Sequence, residues 1–442
     1  MAFEFFTGFL RSMHYFSTNR KSPHVSFREA TIKGQPDDNG LYFPEIIPAI
    51  SEEFRKNFSK RSNEQIAFDV IKPYVGDSIP DEKLFEICSE TVNFPFPLLE
   101  ITANISVLEL FHGPTLAFKD VGARFMSRCL QYFSKDSADK TVVIVATSGD
   151  TGGAVANGFY GVEGVEVIIL YPKDKVSKVQ ELQLTTLGGN VTTLELHGTF
   201  DDCQALAKQA LADTTLQENV LLTSANSINV ARWLPQQFYY FFALKQWHGE
   251  PPVFSVPSGN FGNICAGILA HISGLPANKF IAACNANDVI PRFLLTEKLL
   301  PKQSVSTLSN AMDVGDPSNF VRVLEIFDHN FINLKEKLKA VSITDAQTAK
   351  TMRGVFDQYN YILDPHGAVG FCALEQYLEE NPKERGIVLE TAHPVKFESV
   401  KKITGTYGTV PGSVNELLVR QKKSIEIGMN YEDLREIILT KV

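Results

Sequence analysis

No CxxC pair and no HxxxH pair occurs in the 442 residues, which removes the common zinc and thiol-redox frameworks. The six cysteines (Cys88, Cys129, Cys203, Cys265, Cys284, Cys372) are scattered, several inside apolar helical patterns, and read as buried thiols of a cytoplasmic protein. Long Lys/Arg runs are missing too, and a formal net charge of -9 offers no basic face to nucleic acid or to an anionic membrane. The apolar N-terminal stretch Met1–Ser12 is short, carries Glu4 and lacks a basic leader, so neither a secretory signal nor a membrane span is expected. Met13 is a candidate physiological start, with the residues before it an extension. There is no internal repeat and no low-complexity tract.

What is present is the composition of a soluble globular protein, 44% hydrophobic and 21% charged, in a chain long enough for two or three domains. Residues 15–44 are rich in turn formers and predict short strands or loops. Helical patterns follow at 62–71 and 81–88, and the prolines of Asn93-Phe94-Pro95-Phe96-Pro97 mark a first boundary. Beyond it strands and helices alternate: strands at 105–110, 141–146, 165–170, 191–196, 220–223, 253–256 and 386–389. The intervening helices include ones opening at Lys119 and Gly152, one at 201–211 and a long one at 230–247. This alternation predicts an α/β protein with parallel sheets flanked by helices and right-handed crossovers, and ligands in such folds bind at the carboxyl ends of the strands.

Lys119 is oddly placed. It enters the first turn of a helix whose apolar residues Phe118, Val121, Phe125, Cys129, Leu130 and Phe133 recur at helical spacing, just after the turn Gly113-Pro114. Both the positive end of the helix dipole and an apolar surround disfavour an ammonium, so its pKa is expected to fall, as suits an amine that forms a Schiff base. An ordinary surface lysine beside Asp120 is the bland alternative.

Three strand-end loops bear on that choice. Thr147-Ser148-Gly149-Asp150-Thr151-Gly152-Gly153 joins a strand to a helix and offers N–H and hydroxyl donors to an anion. Pro257-Ser258-Gly259-Asn260-Phe261-Gly262-Asn263 does the same for a phosphate, yet is neither a Walker loop nor a dinucleotide fingerprint. Glu390-Thr391-Ala392-His393-Pro394 presents the Thr391 hydroxyl at a strand end. A reactive lysine, a glycine-rich phosphate cradle and a hydroxyl for a ring nitrogen together suggest pyridoxal phosphate.

The residues resemble the threonine synthase family, fold-type II pyridoxal-phosphate enzymes related to tryptophan synthase β and threonine dehydratase. The resemblance runs from Tyr15 onward and rests on Val25 to Ala30 with Asn39 to Pro44, His112 to Asp120, Thr147 to Gly152, Asn226 to Arg232, Ala311 to Asn319, Asp364 to Val369, and Thr391 to Pro394. It implies an N-terminal threonine-synthase-type domain (1–100) and a larger cofactor-binding α/β domain (101–140 and 240–442), with the cofactor between it and a smaller α/β domain (141–239). By the same resemblance Lys119 carries the Schiff base and shuttles protons. Gly259, Asn260, Phe261, Gly262 and Asn263 hold the cofactor phosphate, and Thr391 bonds the pyridine nitrogen. Ser148, Gly149 and Thr151 hold the substrate carboxylate, and Arg232 takes the substrate phosphate. The implied reaction converts O-phospho-L-homoserine and water to L-threonine and phosphate in a cytoplasmic monomer or homodimer. Asp150 stands where dehydratases usually carry Asn, near the cofactor phenolate. It is expected either to be protonated or to be turned toward a donor.

Overall fold

The computed structural model describes residues 13–135 and 140–441; the expectations for Met1–Ser12 lie outside them. Two sheets organise the chain. The larger runs in the order Leu338–Ser342, Lys279–Cys284, Val253–Pro257, Gly386–Glu390, Ile105–Glu109, Leu98–Glu100, parallel except for the last strand. The smaller is all parallel, in the order Ile425–Ile427, Val191–Leu196, Val165–Pro172, Thr141–Ala146, Leu221–Ser224. Helices cover both, as β-branched strands buried on two faces require; every residue of Thr141–Ala146 is buried.

Ahead of the sheets, His14–Ser17 pairs antiparallel with Val25–Ser26 and Tyr42–Pro44. A helix not expected there, Phe27–Lys33, sits between the strands. Its signal was a capping box, in which the Ser26 side chain accepts from the Glu29 backbone and the Glu29 side chain accepts from Ser26. This N-terminal unit is tied to the rest by Arg322, fully buried and stacked 4.3 Å from the Trp233 ring. Arg322 makes five hydrogen bonds, to Tyr42 O (from Nε and Nη2), Ser227 O, Ile228 O and Asn319 Oδ1.

Two other segments differ from expectation. The predicted helix over 230–247 is broken into Val230–Trp233, a 3-10 turn Leu234–Gln237 and Phe238–Gln246, because Pro235 has no N–H to continue the α ladder. The C-terminal end, assigned to the larger domain, returns to the smaller sheet: Ile425–Ile427 pairs with Val191–Leu196, and the helix Tyr431–Leu439 packs on Phe200–Ala212. A strand of three residues, two of them exposed, carries too little alternation to be read in advance.

Candidate active site

Three adjacent parallel strands of the larger sheet, Val253–Pro257, Gly386–Glu390 and Ile105–Glu109, lead at their carboxyl ends into the glycine loop, Thr391 and the turn before Lys119. The loop after Thr141–Ala146 meets them from the smaller sheet. One cavity of about 620 Å³ is lined by Lys119, Thr391, Arg232, residues 259–263 and, from the smaller sheet, Ser148, Asp150 and Thr151. Of the site residues expected from sequence, Gly149 alone stands behind this surface.

Lys119 opens the helix Lys119–Ser134. Its approach turn is closed by buried Asp120, whose two carboxylate oxygens accept from Thr115 N (2.9 Å) and Thr115 Oγ1 (2.5 Å). An antiparallel bridge between Ala117 and Ala392 clamps this segment to the Thr391 loop: Phe118 N donates to Thr391 O (2.9 Å) and His393 N to Leu116 O (3.0 Å). The Tyr239 hydroxyl donates to Phe118 O. Amine and hydroxyl are therefore held by two backbone segments bonded directly to each other. Burial lowers the Lys119 pKa to about 8, with Arg232 and Lys396 pushing the same way and Asp150 opposing them.

Asp150 takes the second of its two expected arrangements. Its Oδ1 lies 2.6 Å from Lys396 Nζ and accepts from Gln180 Nε2 at 3.0 Å. Burial would raise this carboxyl, but the Lys396 and Lys119 ammonium groups overcome it and hold it well below the usual carboxylate range. Lys396 is itself fully buried and also donates to Thr115 O (2.8 Å). Neither Lys396 nor Gln180 was singled out from sequence. The only hint was a lysine between the apolar residues Pro394-Val395 and Phe397, just past a strand end.

Gly149 explains itself through Gln180. Its φ is 143°, and a Cβ there would lie 2.5 Å from the Gln180 Cδ and Nε2 atoms, so glycine makes room for the side chain that holds Asp150. Its N–H is also committed, donating to Thr147 Oγ1 at 3.0 Å. The expectation that Gly149 itself donates to a substrate carboxylate thus gives way to a conformational role. The hydroxyl of Thr147 takes Gly152 N as well (2.8 Å), which leaves the N–H groups of Asp150 and Thr151 at the helix N-terminus without an acceptor among the described residues. We predict that Gly149→Ala costs about 1–3 kcal/mol through left-handed strain and displacement of Gln180, read as a lower urea midpoint. An unchanged midpoint would show that Gln180 has room to move.

The second loop is built for an anion. Among the described residues, no protein acceptor takes the backbone N–H groups of Gly259, Asn260, Phe261, Gly262, Asn263 or Ile264. Phe261 adopts the left-handed region (φ 62°) at the start of the helix Gly262–Ile272, which turns these donors inward. Gly259 has to be glycine, since a Cβ would meet Met312 Cα at 2.7 Å. Asn260 is fixed by Ser318 N (to Oδ1, 2.7 Å) and by its bond to Ser227 Oγ (2.9 Å). Asn263 Oδ1 accepts from the Tyr240 hydroxyl (3.0 Å), while its Nδ2 is buried with no partner. This unmatched donor set fits the phosphate of pyridoxal phosphate, and Lys119 and Thr391 line the same cavity.

Arg232 is 3% exposed and lies on the short helix Val230–Trp233. Nη1 donates to Ala225 O, Nε has no partner, and no carboxylate lies within ion-pair distance among the described residues. Burial lowers its pKa to about 10, against the pull of Tyr239 and Asp120. Arg322, equally buried, satisfies its guanidinium with five bonds. Arg232 does not: its Nε has no partner among the described residues, so this buried guanidinium at the cavity wall keeps donor capacity to spare.

Fold and site define a pyridoxal-phosphate-dependent enzyme of fold type II, and a family model described as "Pyridoxal-phosphate dependent enzyme" matches residues 96–390. Two further models, "Threonine synthase N terminus" and "Threonine synthase, C-terminal", match residues 14–92 and 367–438. The threonine synthase of Haemophilus influenzae is 41% identical over 97% of this chain and 100% of its own length. The solved threonine synthase from Escherichia coli superposes with a TM-score of 0.91 at 41% identity, covering 97% of this chain and 100% of that one. The PLP-bound threonine synthase from Brucella melitensis gives 0.89 at 32% identity, covering 97% and 99%. The chain belongs to the threonine synthase family.

Proposed function

We infer that this chain converts O-phospho-L-homoserine and water to L-threonine and phosphate, with pyridoxal phosphate as cofactor. One observation carries the reading of the site: a single cavity presents three separate places for an anion. The 259–263 loop takes the cofactor phosphate, the Ser148–Thr151 loop the substrate carboxylate, and Arg232 the substrate phosphate. A dehydratase acting on serine or threonine needs only the first two.

When bound, pyridoxal phosphate supplies an electron sink for the carbon centres of the amino acid. Lys119 is the proton carrier: a lysine with a pKa near 8 is divided between its acid and base forms at working pH, so it removes the proton at Cα, removes one at Cβ and returns them later. The N–H groups of Asp150 and Thr151 and the hydroxyls of Ser148 and Thr151 orient the carboxylate. Arg232 draws the phosphate ester toward a buried cation and stabilises the dianion as its bond to Cγ breaks. The Thr391 hydroxyl holds the ring nitrogen without imposing a full positive charge on it. Asp150 is ionised and paired with Lys396, so its negative charge is already matched and would not work against a bound cofactor.

The reading divides the chain at the boundaries expected from sequence, except that residues 425–439 go with the smaller sheet. It also keeps the enzyme cytoplasmic, as a monomer or homodimer acting on a small molecule without nucleic acid. Among the described residues no helix is long and apolar enough to cross a membrane.

Incubated with O-phospho-L-homoserine, the protein is expected to release threonine and phosphate in equal amounts. Ammonia and a keto acid from serine, without phosphate release, would overturn the assignment. Arg232→Gln is expected to lower kcat/KM about a hundredfold, through both a higher KM and a lower kcat, and to weaken inhibition by inorganic phosphate. Wild-type values for both would move the substrate phosphate elsewhere in the cavity.

A further inference from the structure

Two sequence stretches are left without a role by this mechanism, Ala311 to Asn319 and Asp364 to Val369. They meet at His366, which is 2% exposed and borders the cavity. Asp364 caps the helix Pro365–Glu380, and its Oδ1 accepts from His366 N (2.7 Å) and lies 2.5 Å from His366 Nδ1. The other ring nitrogen, Nε2, accepts from Ala311 N at 3.2 Å. A nitrogen that accepts from a backbone N–H has to be bare, so the ring proton sits on Nδ1 and is donated to Asp364.

The two ends of this arrangement reach the two ends of the cofactor seat. On one side Asp364 Oδ2 accepts from Ala392 N (3.3 Å), beside Thr391, and Asp364 N donates to Glu390 Oε1 (2.7 Å) on the strand that leads to it. On the other, Ala311 belongs to the turn Asn310–Met312, which packs against Gly259; a Cβ on Gly259 would lie 2.7 Å from Met312 Cα and 3.1 Å from Ala311 O. The turn is pinned from behind by Asp313, whose carboxylate accepts from Thr307 Oγ1 (2.7 Å), Thr307 N (3.0 Å) and Asn285 Nδ2 (2.8 Å). The Phe397 ring, edge-on at 5.0 Å, leaves the imidazole little freedom to rotate.

We propose that His366, held in its Nδ1–H tautomer by Asp364, is a positioning residue that sets the distance between Thr391 and the Gly259–Asn263 cradle, and so the length of the cofactor seat. The proposal rests on the reading of those two elements as the ring-nitrogen and phosphate ends. It differs from a merely structural role because it distinguishes ligands that span both ends from those that touch one. An Asn side chain reproduces the Nδ1 half of the imidazole and can donate to Asp364, but cannot reach Ala311. A Gln side chain carries its carbonyl oxygen about as far as Nε2.

The test uses wild-type, His366→Asn and His366→Gln apoenzymes, titrated with pyridoxal phosphate by absorbance and with inorganic phosphate by competition. In His366→Asn the affinity for pyridoxal phosphate is expected to fall about tenfold or more, the scale of one buried hydrogen bond, while that for inorganic phosphate stays within about threefold. His366→Gln is expected to recover most of the loss. Unchanged pyridoxal phosphate affinity in His366→Asn, or an equal loss for both ligands, would overturn the proposal. Nitrogen-15 NMR of histidine-labelled wild-type apoenzyme gives a check that needs no variant: Nε2 of His366 is expected to carry no proton, and a protonated Nε2 would overturn the proposal as well. Failure of wild-type apoenzyme to bind pyridoxal phosphate would instead count against the reading of the site.

Discussion

Lys119→Ala is expected to abolish threonine formation, with a loss of at least about a thousandfold, the upper range for removal of a general base. The expectation is this large because the two buried cations nearest in character to Lys119 are not free to take over its proton transfer. Lys396 is bound to Asp150 and Thr115 O, and Arg232 stays protonated at working pH. The variant is also expected to bind the cofactor without becoming covalently linked to it on borohydride reduction. The wild-type apoenzyme offers a test of the environment itself. Burial depresses the Lys119 pKa to about 8, against 10.5 for an ordinary lysine, so the free amine predominates above pH 8. Labelling at residue 119 by an amine-selective reagent should therefore rise with pH around a midpoint near 8, while surface lysines remain protonated and slow. A midpoint near 10.5 would mean that the site does not activate the amine.

The second large effect is expected at Lys396. Lys396→Met removes the cation from a buried pair and leaves Asp150 facing Gln180 and Lys119 alone, a change that typically costs about 3–5 kcal/mol. The pH dependence has a definite sign. In the wild type the Asp150 pKa is depressed, so its contribution to stability is fully present above the unfolded value of 3.8 and is lost only as pH falls below it. With Lys396 gone, burial is opposed by less charge and the carboxyl shifts upward. Stability should then increase on acidification from pH 8 to pH 5, where the wild type changes little from this group. Urea midpoints at the two pH values decide the matter. Adding Asp150→Asn to Lys396→Met should recover part of the loss, because the orphaned charge disappears with it. If the single variant is as stable as the wild type at pH 8, the pair is not what keeps Asp150 ionised.

The legibility of the site followed chain distance. Lys119, the two glycine-rich loops and Thr391 could be read because each is announced by local pattern: a β-branched strand, then small or hydroxyl residues, then a helix. Their convergence followed from the rule that ligands gather at the carboxyl ends of parallel strands. Lys396 and Gln180 could not be read in this way, since each acts on Asp150, which opens a helix far from both in sequence. His366 was hidden similarly, because its partner Ala311 sits in a turn with no periodic pattern. Arg232 was picked for its chemistry, and what the structure added was the absence of a carboxylate beside it. In the fold, the helix Phe27–Lys33 was masked by turn formers around it, and Pro235 broke a helix whose apolar run looked continuous.

The return of the C-terminal strand to the smaller sheet alters how the two halves are joined. Beyond the N-terminal unit, Leu98–Glu100 and Ile105–Glu109 lie in the larger sheet, the strands from Thr141 to Ser224 in the smaller, those from Val253 to Glu390 in the larger again, and Ile425–Ile427 in the smaller, so the chain passes between these two sheets three times. A clamshell joined by one strap swings freely about it; one sewn by three straps opens only when all three bend together. The gap that the cofactor and substrate must fill is thus stitched to size by the polypeptide, and the last stitch is made where Ile425–Ile427 joins the smaller sheet.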